Sequence, residues 1–284
     1  MKVQAVKMHG QGNDYIFLDL EDSSHSVSSD QWRDLAVKLS NRVSGLGSEV
    51  SNISTNPNNP PYGVGSDGLV LIEKMPQKLD IYQTKMRIFN ADGSEAEVCG
   101  TAQRCVAFYL YQKTGKRNVC IHTLAGNRLC TVENNNNVTT DMGFVEIEKK
   151  LSIKISGHVF TGYVVNVGNP HFVFITNSVL ANNDSIWQKI ENHEEFPKRI
   201  NVENVTIVKN DEIKVRVWER GSGFTLACGS GACAAAFVGY KNYQLSEEIN
   251  VKLPGGEVQV QIQLDDECFL TGKVEKIYET EIEI

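Results

Sequence analysis

The sequence predicts an α/β (α+β) fold of two homologous, strand-rich domains, each a sheet wrapped around a central helix, related by pseudo-two-fold symmetry. Three observations carry this expectation. Short strand-like runs outnumber helical patterns and do not alternate with them regularly, which argues against a simple parallel sheet. Two segments, "AEVCGTAQRCVAF" at 96–108 and "TLACGSGACAAAF" at 225–237, each set Cys-Gly before an apolar block. The chain also matches itself at one constant offset over a long stretch.

Taken in order, Val3 to Lys7 alternates weakly and reads as a strand, as does "DYIFLDL" from Asp14 to Leu20. Ser29 or Asp30 caps a helix through Trp32, Leu35, Ala36 and Leu39. From Ser44 to Gly65 the residues turn to Ser, Asn, Pro and Gly, so a long loop is expected there, either a mobile lid or a surface insertion. "GLVLIE" and "KMRIFN" read as strands, and "RLCTV" and "VTTDM" flank Asn134 to Asn137 as a hairpin. "YVVNVG", "HFVFIT", "IKVRVWE" and "EVQVQIQL" are further strands. The helices after Cys99 and Cys228 are apolar over a broad face and nearly all round, respectively, so burial is expected.

The self-match organises these elements. Arg87-Ile88-Phe89 matches Arg216-Val217-Trp218, Cys99-Gly100 matches Cys228-Gly229, and Ala107, Phe108 and Tyr111 match Ala236, Phe237 and Tyr240. Leu124 and Gly126 match Leu253 and Gly255. Gly12-Asn13 matches Gly168-Asn169 at a longer offset, which puts extra residues in the first half, naturally in the 44–65 loop. The expected domains are 1–143, completed by a C-terminal strand at 273–284, and 144–272. Two such domains facing each other would bring the equivalent cysteines to one interface.

Composition narrows the partners. A formal net charge of -7 argues against nucleic acid. The N-terminus lacks an apolar signal core and no apolar run reaches membrane length, so no membrane and a cytoplasmic location are expected. Seven cysteines is an odd number, and nothing points to secretion or to a disulfide framework. There is no Cys-x-x-Cys pair, and no convincing lysine with a phosphate loop, so neither metal nor pyridoxal cofactor is expected.

A cysteine at a helix start has specific chemistry. The first N–H groups of a helix have no internal partner and, with the macrodipole, can hold a carboxylate. The same place lowers a thiol pKa. A single Cys-Gly is more often a small buried hydrophobe, and Cys105, Cys120, Cys130, Cys233 and Cys268 are read that way. Two equivalent thiols suit a symmetric reaction, in which one removes a proton from a carbon and the other returns one to the opposite face.

At these residues the sequence resembles diaminopimelate epimerase, a cofactor-independent family of the proline-racemase-like fold. The resemblance spans nearly the whole chain through "KMHGQGNDY", "VGSDG", "RIFNADGSE", "CG" at 99–100, "VGNPHFV", "RINVEN", "VWERGSG", "ACGSGACAAA" and "LPGGEV". It implies that Cys99 and Cys228 transfer protons, with His171 partnering Cys99 and Glu219 partnering Cys228. It further implies that N–H groups at Gly100-Thr101 and Gly229-Ser230 hold the reacting carboxylate. Asn13 and Asn90 would line the site, and Asn169, Asn201 and Arg220 would grip the far end of an amino-acid substrate. A homodimer is implied as well. Where the family pattern is Cys-Gly-Asn-Gly-Ala-Arg, this chain has Cys99-Gly100-Thr101-Ala102-Gln103-Arg104, so a side-chain amide and a glycine are replaced. Two other readings fit the same residues: a related racemase acting on another amino acid, and a catalytically silent amino-acid-binding protein.

Overall fold

The computed structural model describes residues 2–21, 28–47, 65–77, 80–134, 136–177 and 184–284. Most of the predicted 44–65 loop, residues 48–64, lies outside the described residues. The chain forms two compact units, Met1–Val138 with Lys273–Ile284, and Thr139–Gly272.

In the first unit the order is β1 (Lys2–Gly10), β2 (Asn13–Asp19), α1 (Ser29–Ser40), β3 (Gly68–Lys74), β4 (Tyr82–Asn90), β5 (Glu95–Ala96), α2 (Gly100–Thr114), β6 (Asn118–Thr123) and β7 (Gly126–Val132). In the second it is β9 (Glu146–Ile155), β10 (His158–Asn166), β11 (Pro170–Ile175), α3 (Asp184–Glu191), β12 (Asn201–Lys209), β13 (Glu212–Glu219), β14 (Gly223–Phe224), α4 (Gly229–Tyr243), β15 (Glu248–Leu253), β16 (Gly256–Ile262) and β17 (Glu267–Lys273). Between them, β8 (Asn137–Phe144) pairs with β17, so residues 139–143, set in the first domain by sequence, belong with the second unit. The last strand, β18 (Glu275–Glu283), returns to pair antiparallel with β1.

The two units repeat one topology. β1 and β2 are antiparallel, β2 and β3 parallel across α1, β3 and β4 antiparallel, and β4 and β6 parallel across α2. The pairs β10–β11, β11–β12, β12–β13 and β13–β15 follow the same sequence of directions, with α3 and α4 as the crossovers. A parallel pair needs a long connection, and each helix supplies one.

The central strands are buried on both faces, which is why they read as continuous apolar runs. Tyr15, Phe17, Val70 and Ile72 cluster with α2, while Ile16, Leu18, Leu69, Leu71 and Phe89 cluster with Trp32 and Ala36 of α1. In the second unit Val173 and Val205 pack with α4, and Phe172, Phe174 and Val202 with Trp187 and Ile190 of α3.

The helices that follow the two cysteines are the central ones. Every residue from Gly100 to Leu110 is buried, and so is every residue from Gly229 to Gly239. α2 packs on β1, β2, β6 and β7, and α4 on β10 to β13, β15 and β16. The alanines of α4 let the sheet close tightly on all its sides. Overpacking this helix should therefore be costly. Ala235→Leu, at a fully buried site, is expected to destabilise by about 1–3 kcal/mol. Urea unfolding checks this, with Val208→Thr, on an exposed residue, leaving the midpoint nearly unmoved.

Candidate active site

Each central helix starts at its cysteine. Cys99 has extended backbone (φ -148°, ψ 112°), and its Sγ accepts the Ala102 N–H at 3.4 Å. Cys228 has nearly the same backbone (φ -135°, ψ 118°) and accepts the Gly231 N–H at 3.4 Å. The backbone oxygens of Cys99 and Cys228 accept from Gln103 and Ala232, both at 3.0 Å. In both units the sulfur takes the place of an N-capping oxygen. The change from glycine to Ala102 leaves this cap intact, because Ala102 is an ordinary helical residue and keeps φ out of the left-handed region.

Strand register aligns the surroundings of the two caps residue by residue. Tyr15 pairs with Gly68 and His171 with Asn201. Val70 pairs with Ile88 and Glu203 with Val217. Gly68 lies opposite Asn90, just as β12 begins alongside the end of β13 at Trp218–Glu219. Tyr15 therefore answers to His171, Val70 to Glu203, Asn90 to Glu219, Thr101 to Ser230 and Ala102 to Gly231.

In the first unit the half-buried Cys99 donates to the Tyr15 hydroxyl at 3.3 Å and lies 3.9 Å from Asn13 Oδ1. The other end of the Asn13 amide donates to Asp67 Oδ2 at 2.9 Å, which turns its oxygen toward the thiol. Asp67 and Asp14 both bond Arg42, and the buried Lys7 pairs with Asp14 at 2.5 Å. Asn90 closes its turn instead: its amide donates to Ser94 Oγ at 2.9 Å, and its N–H to the Ser94 oxygen. Gly100 and Thr101 are buried, and the Thr101 methyl lies beside the Gly10 backbone.

In the second unit Cys228 is buried, with Ser230 Oγ at 3.4 Å. Asn169 links that serine to His171: Nδ2 donates to Ser230 Oγ at 3.4 Å, and Oδ1 meets His171 Nε2 at 2.9 Å. The second ring nitrogen, Nδ1, lies 2.7 Å from Glu203 Oε1. Glu219, at the end of β13, accepts from Thr225 Oγ1 at 2.6 Å. Asn201 uses both ends of its amide locally: Nδ2 donates to the Pro170 oxygen, and Oδ1 accepts the Arg220 N–H, each at 2.9 Å. It thereby fixes the backbone of the turn that carries Arg220. Glu191 holds the same turn, accepting from Trp218 Nε1 at 2.7 Å and from the Gly221 N–H at 2.9 Å.

The expectation that a helix start lowers a thiol pKa does not hold for Cys228. Burial pushes its thiol well above the usual value, and the charges of Glu219 and Glu203 push the same way. The Ser230 hydroxyl and the Gly231 N–H oppose this and lose. Desolvation of a buried thiolate outweighs the favourable end of a helix.

Sequence reasoning does not single out Tyr15, Asp67, Glu191 or Glu203. The repeat holds the signal for Tyr15, since it stands two residues past Asn13 as His171 stands past Asn169. Glu203 sits within "RINVEN" two residues past Asn201, on the same face of its strand. Among the described residues no group of three or more His, Cys, Asp or Glu side chains is placed to hold a metal. None of the seven cysteines is in a disulfide, and no described helix is long and apolar enough to cross a membrane.

The fold is shared with a hydroxyproline epimerase from Agrobacterium vitis, solved with bound trans-4-hydroxy-L-proline. The TM-score is 0.69 at 13% identity, covering 99% of this chain and 92% of that one. It is shared equally with a PhzF-family phenazine biosynthesis protein from Bacillus anthracis, at TM-score 0.70 and 12% identity over the whole of both chains. These likenesses define a class of two-unit proteins with the proline-racemase-like fold. Sequence narrows it further: the diaminopimelate epimerase family profile matches residues 49–148 and 163–277. Diaminopimelate epimerases from Parabacteroides distasonis and Acetivibrio thermocellus are 35% and 36% identical, covering 99% and 98% of this chain and 98% of each relative. The chain belongs to the diaminopimelate epimerase family.

The setting of Cys228 makes a signed prediction for alkylation. Removing the carboxylate charge in Glu219→Gln should lower the Cys228 pKa and speed its reaction with iodoacetamide at pH 8. Ser230→Ala should slow it. Peptide mapping by mass spectrometry reads both rates, and equal rates in the two variants would contradict the electrostatic account.

Proposed function

We propose that this chain is a cofactor-independent isomerase that interconverts LL- and meso-2,6-diaminopimelate, in the synthesis of lysine and peptidoglycan precursors. The observation that carries the reading is the cysteine that caps a buried helix in each unit, in a chain of the diaminopimelate epimerase family. Inverting an α-carbon needs one group to take its proton and another to deliver a proton to the opposite face. We assign these two roles to Cys99 and Cys228.

The N–H groups of Gly100-Thr101 and Gly229-Ser230 come just ahead of those that cap the sulfurs, at the positive ends of both helices. A substrate carboxylate held there would bear part of the charge that builds as the α-proton leaves. Because burial and two carboxylates keep Cys228 protonated, we assign it proton delivery in the resting enzyme, with Cys99 as the base. The reverse direction exchanges their roles. His171 and Glu219 tune the thiols. Arg220, on a turn fixed by Asn201 and Glu191, is proposed as the fork for the distal carboxylate. Asn13, Asn90 and Asn169 complete the polar lining. A homodimer and a cytoplasmic location belong to the same proposal, and seven cysteines outside any disulfide fit a reducing compartment.

The test is α-proton exchange. Reduced protein is incubated in deuterated water with LL-diaminopimelate and, in parallel, with simple amino acids, and NMR follows α-deuteration and the opposite stereoisomer. Exchange and epimerisation confined to diaminopimelate are expected. Cys99→Ser and Cys228→Ser should each slow epimerisation by roughly 10²–10⁴-fold. Undiminished turnover with both cysteines changed would sink the two-thiol assignment, and exchange only with another amino acid would overturn the substrate.

A further inference from the structure

The strand register sets a buried carboxyl, Glu203, where the first unit has Val70. Both Glu203 and His171 are 0% exposed. The neighbouring helix start accommodates the exchange. A Cβ on Gly231 would lie 2.7 Å from Glu203 Oε1, whereas the equivalent residue beside Val70 is Ala102. Gly231 has ordinary helical φ, so the glycine makes space rather than a turn. Burying a carboxyl is unfavourable unless a partner compensates it, and the fold builds this same position without one in its other half. Among the described residues Glu203 Oε2 has no hydrogen-bond partner, so the bond from Oε1 to His171 is the one that the site provides.

The hydrogen-bond directions constrain the proton. An amide oxygen can only accept, so Asn169 Oδ1 requires a proton on His171 Nε2. The 2.7 Å bond between Nδ1 and Glu203 Oε1 must then hold a second proton. That proton sits either on the carboxyl, beside a neutral ring, or on Nδ1, beside a carboxylate. The two forms carry the same net charge and differ by one proton transfer within one bond.

We infer that Glu203 is a positioning residue for the isomerase: it fixes the orientation of the His171 ring and shares a proton with it, so that His171 can change its charge without the buried pair gaining any. Burial raises the Glu203 pKa against the pull of His171, which brings the two forms closer in energy. Glu203 also acts on the Cys228 thiol at the start of α4, and Glu219 at the end of β13 acts on that thiol in the same direction. The relevance to catalysis rests on the proposed function above, but the shared proton does not.

The experiment is NMR of protein labelled with ¹⁵N-histidine, without substrate, in the wild type and in Glu203→Gln. In the wild type the Nδ1 shift of His171 is expected between those of a protonated and a bare ring nitrogen. In Glu203→Gln it should move to the bare-acceptor value, because the amide donates to it. An Nδ1 shift that is the same in both proteins would overturn the inference. So would a wild-type Nδ1 shift at either limiting value, a result that needs no variant to fold. The double variant Glu203→Val with Gly231→Ala imports the first unit's packing and should also lose the intermediate shift. In turnover, Glu203→Gln should lower kcat roughly tenfold, less than loss of an acid or base itself, with KM little changed and the pH profile displaced. An unchanged profile would overturn the positioning role. If the wild type does not epimerise diaminopimelate, the function falls, and the NMR result still decides the proton.

Discussion

A helix buried from its first turn cannot leave its opening N–H groups to water, and this constraint shapes both halves of the protein. α2 and α4 are enclosed by sheet over their first eleven residues. Something in the chain must accept from N–H groups at their starts. In each unit a cysteine sulfur takes one of them. The same arrangement brings a thiol and the positive end of a helix to one place, where an anion is favoured. The demand of the fold and the chemistry of the site therefore meet in the same few atoms.

The duplicated backbone then carries unlike side chains. The first unit sets Tyr15, Val70, Asn90 and Ala102 where the second sets His171, Glu203, Glu219 and Gly231. The first thiol is half-buried and bonded to a phenol hydroxyl. The second is buried among carboxylates that keep it protonated. The proposed two-thiol reaction, which needs one acid and one base at the same moment, would be served by this inequality, since two identical environments would give two thiols in the same state.

A polar network orients the first half's hairpin. Lys7 is wholly buried, and desolvation lowers its pKa to about 8 in spite of Asp14. Arg42 and Lys7 hold Asp14 below the ordinary carboxylate range, while burial and the Asp14 charge push Asp67 upward. Such clusters contribute little net stability, but removing one member leaves the others uncompensated. The local effect is orientation: Asp67 bonds both the Asn13 amide and the Asp14 N–H, so the two residues that follow the β1–β2 turn are held in place.

The sequence by itself determined the elements whose signal is local or repeated. The two cysteine-led helices, the central apolar strands and the equivalence of the halves follow from periodicity and self-match, because burial on every side leaves a continuous apolar record in the chain. Cys99, Cys228, Glu219 and the asparagines could be named from motifs. Tertiary structure decided what those groups do to one another. The direction of the Cys228 pKa came from burial, which no motif encodes. Asn201 and Asn90 proved to hold turns, through bonds to Pro170 and Arg220 and to Ser94, residues that the motifs name but do not connect. Glu203 was legible only as one letter in the motif "RINVEN" until register set it against His171 and beside Gly231. Pairing across strands depends on register, and a single residue of slip would have turned that carboxyl to the other face.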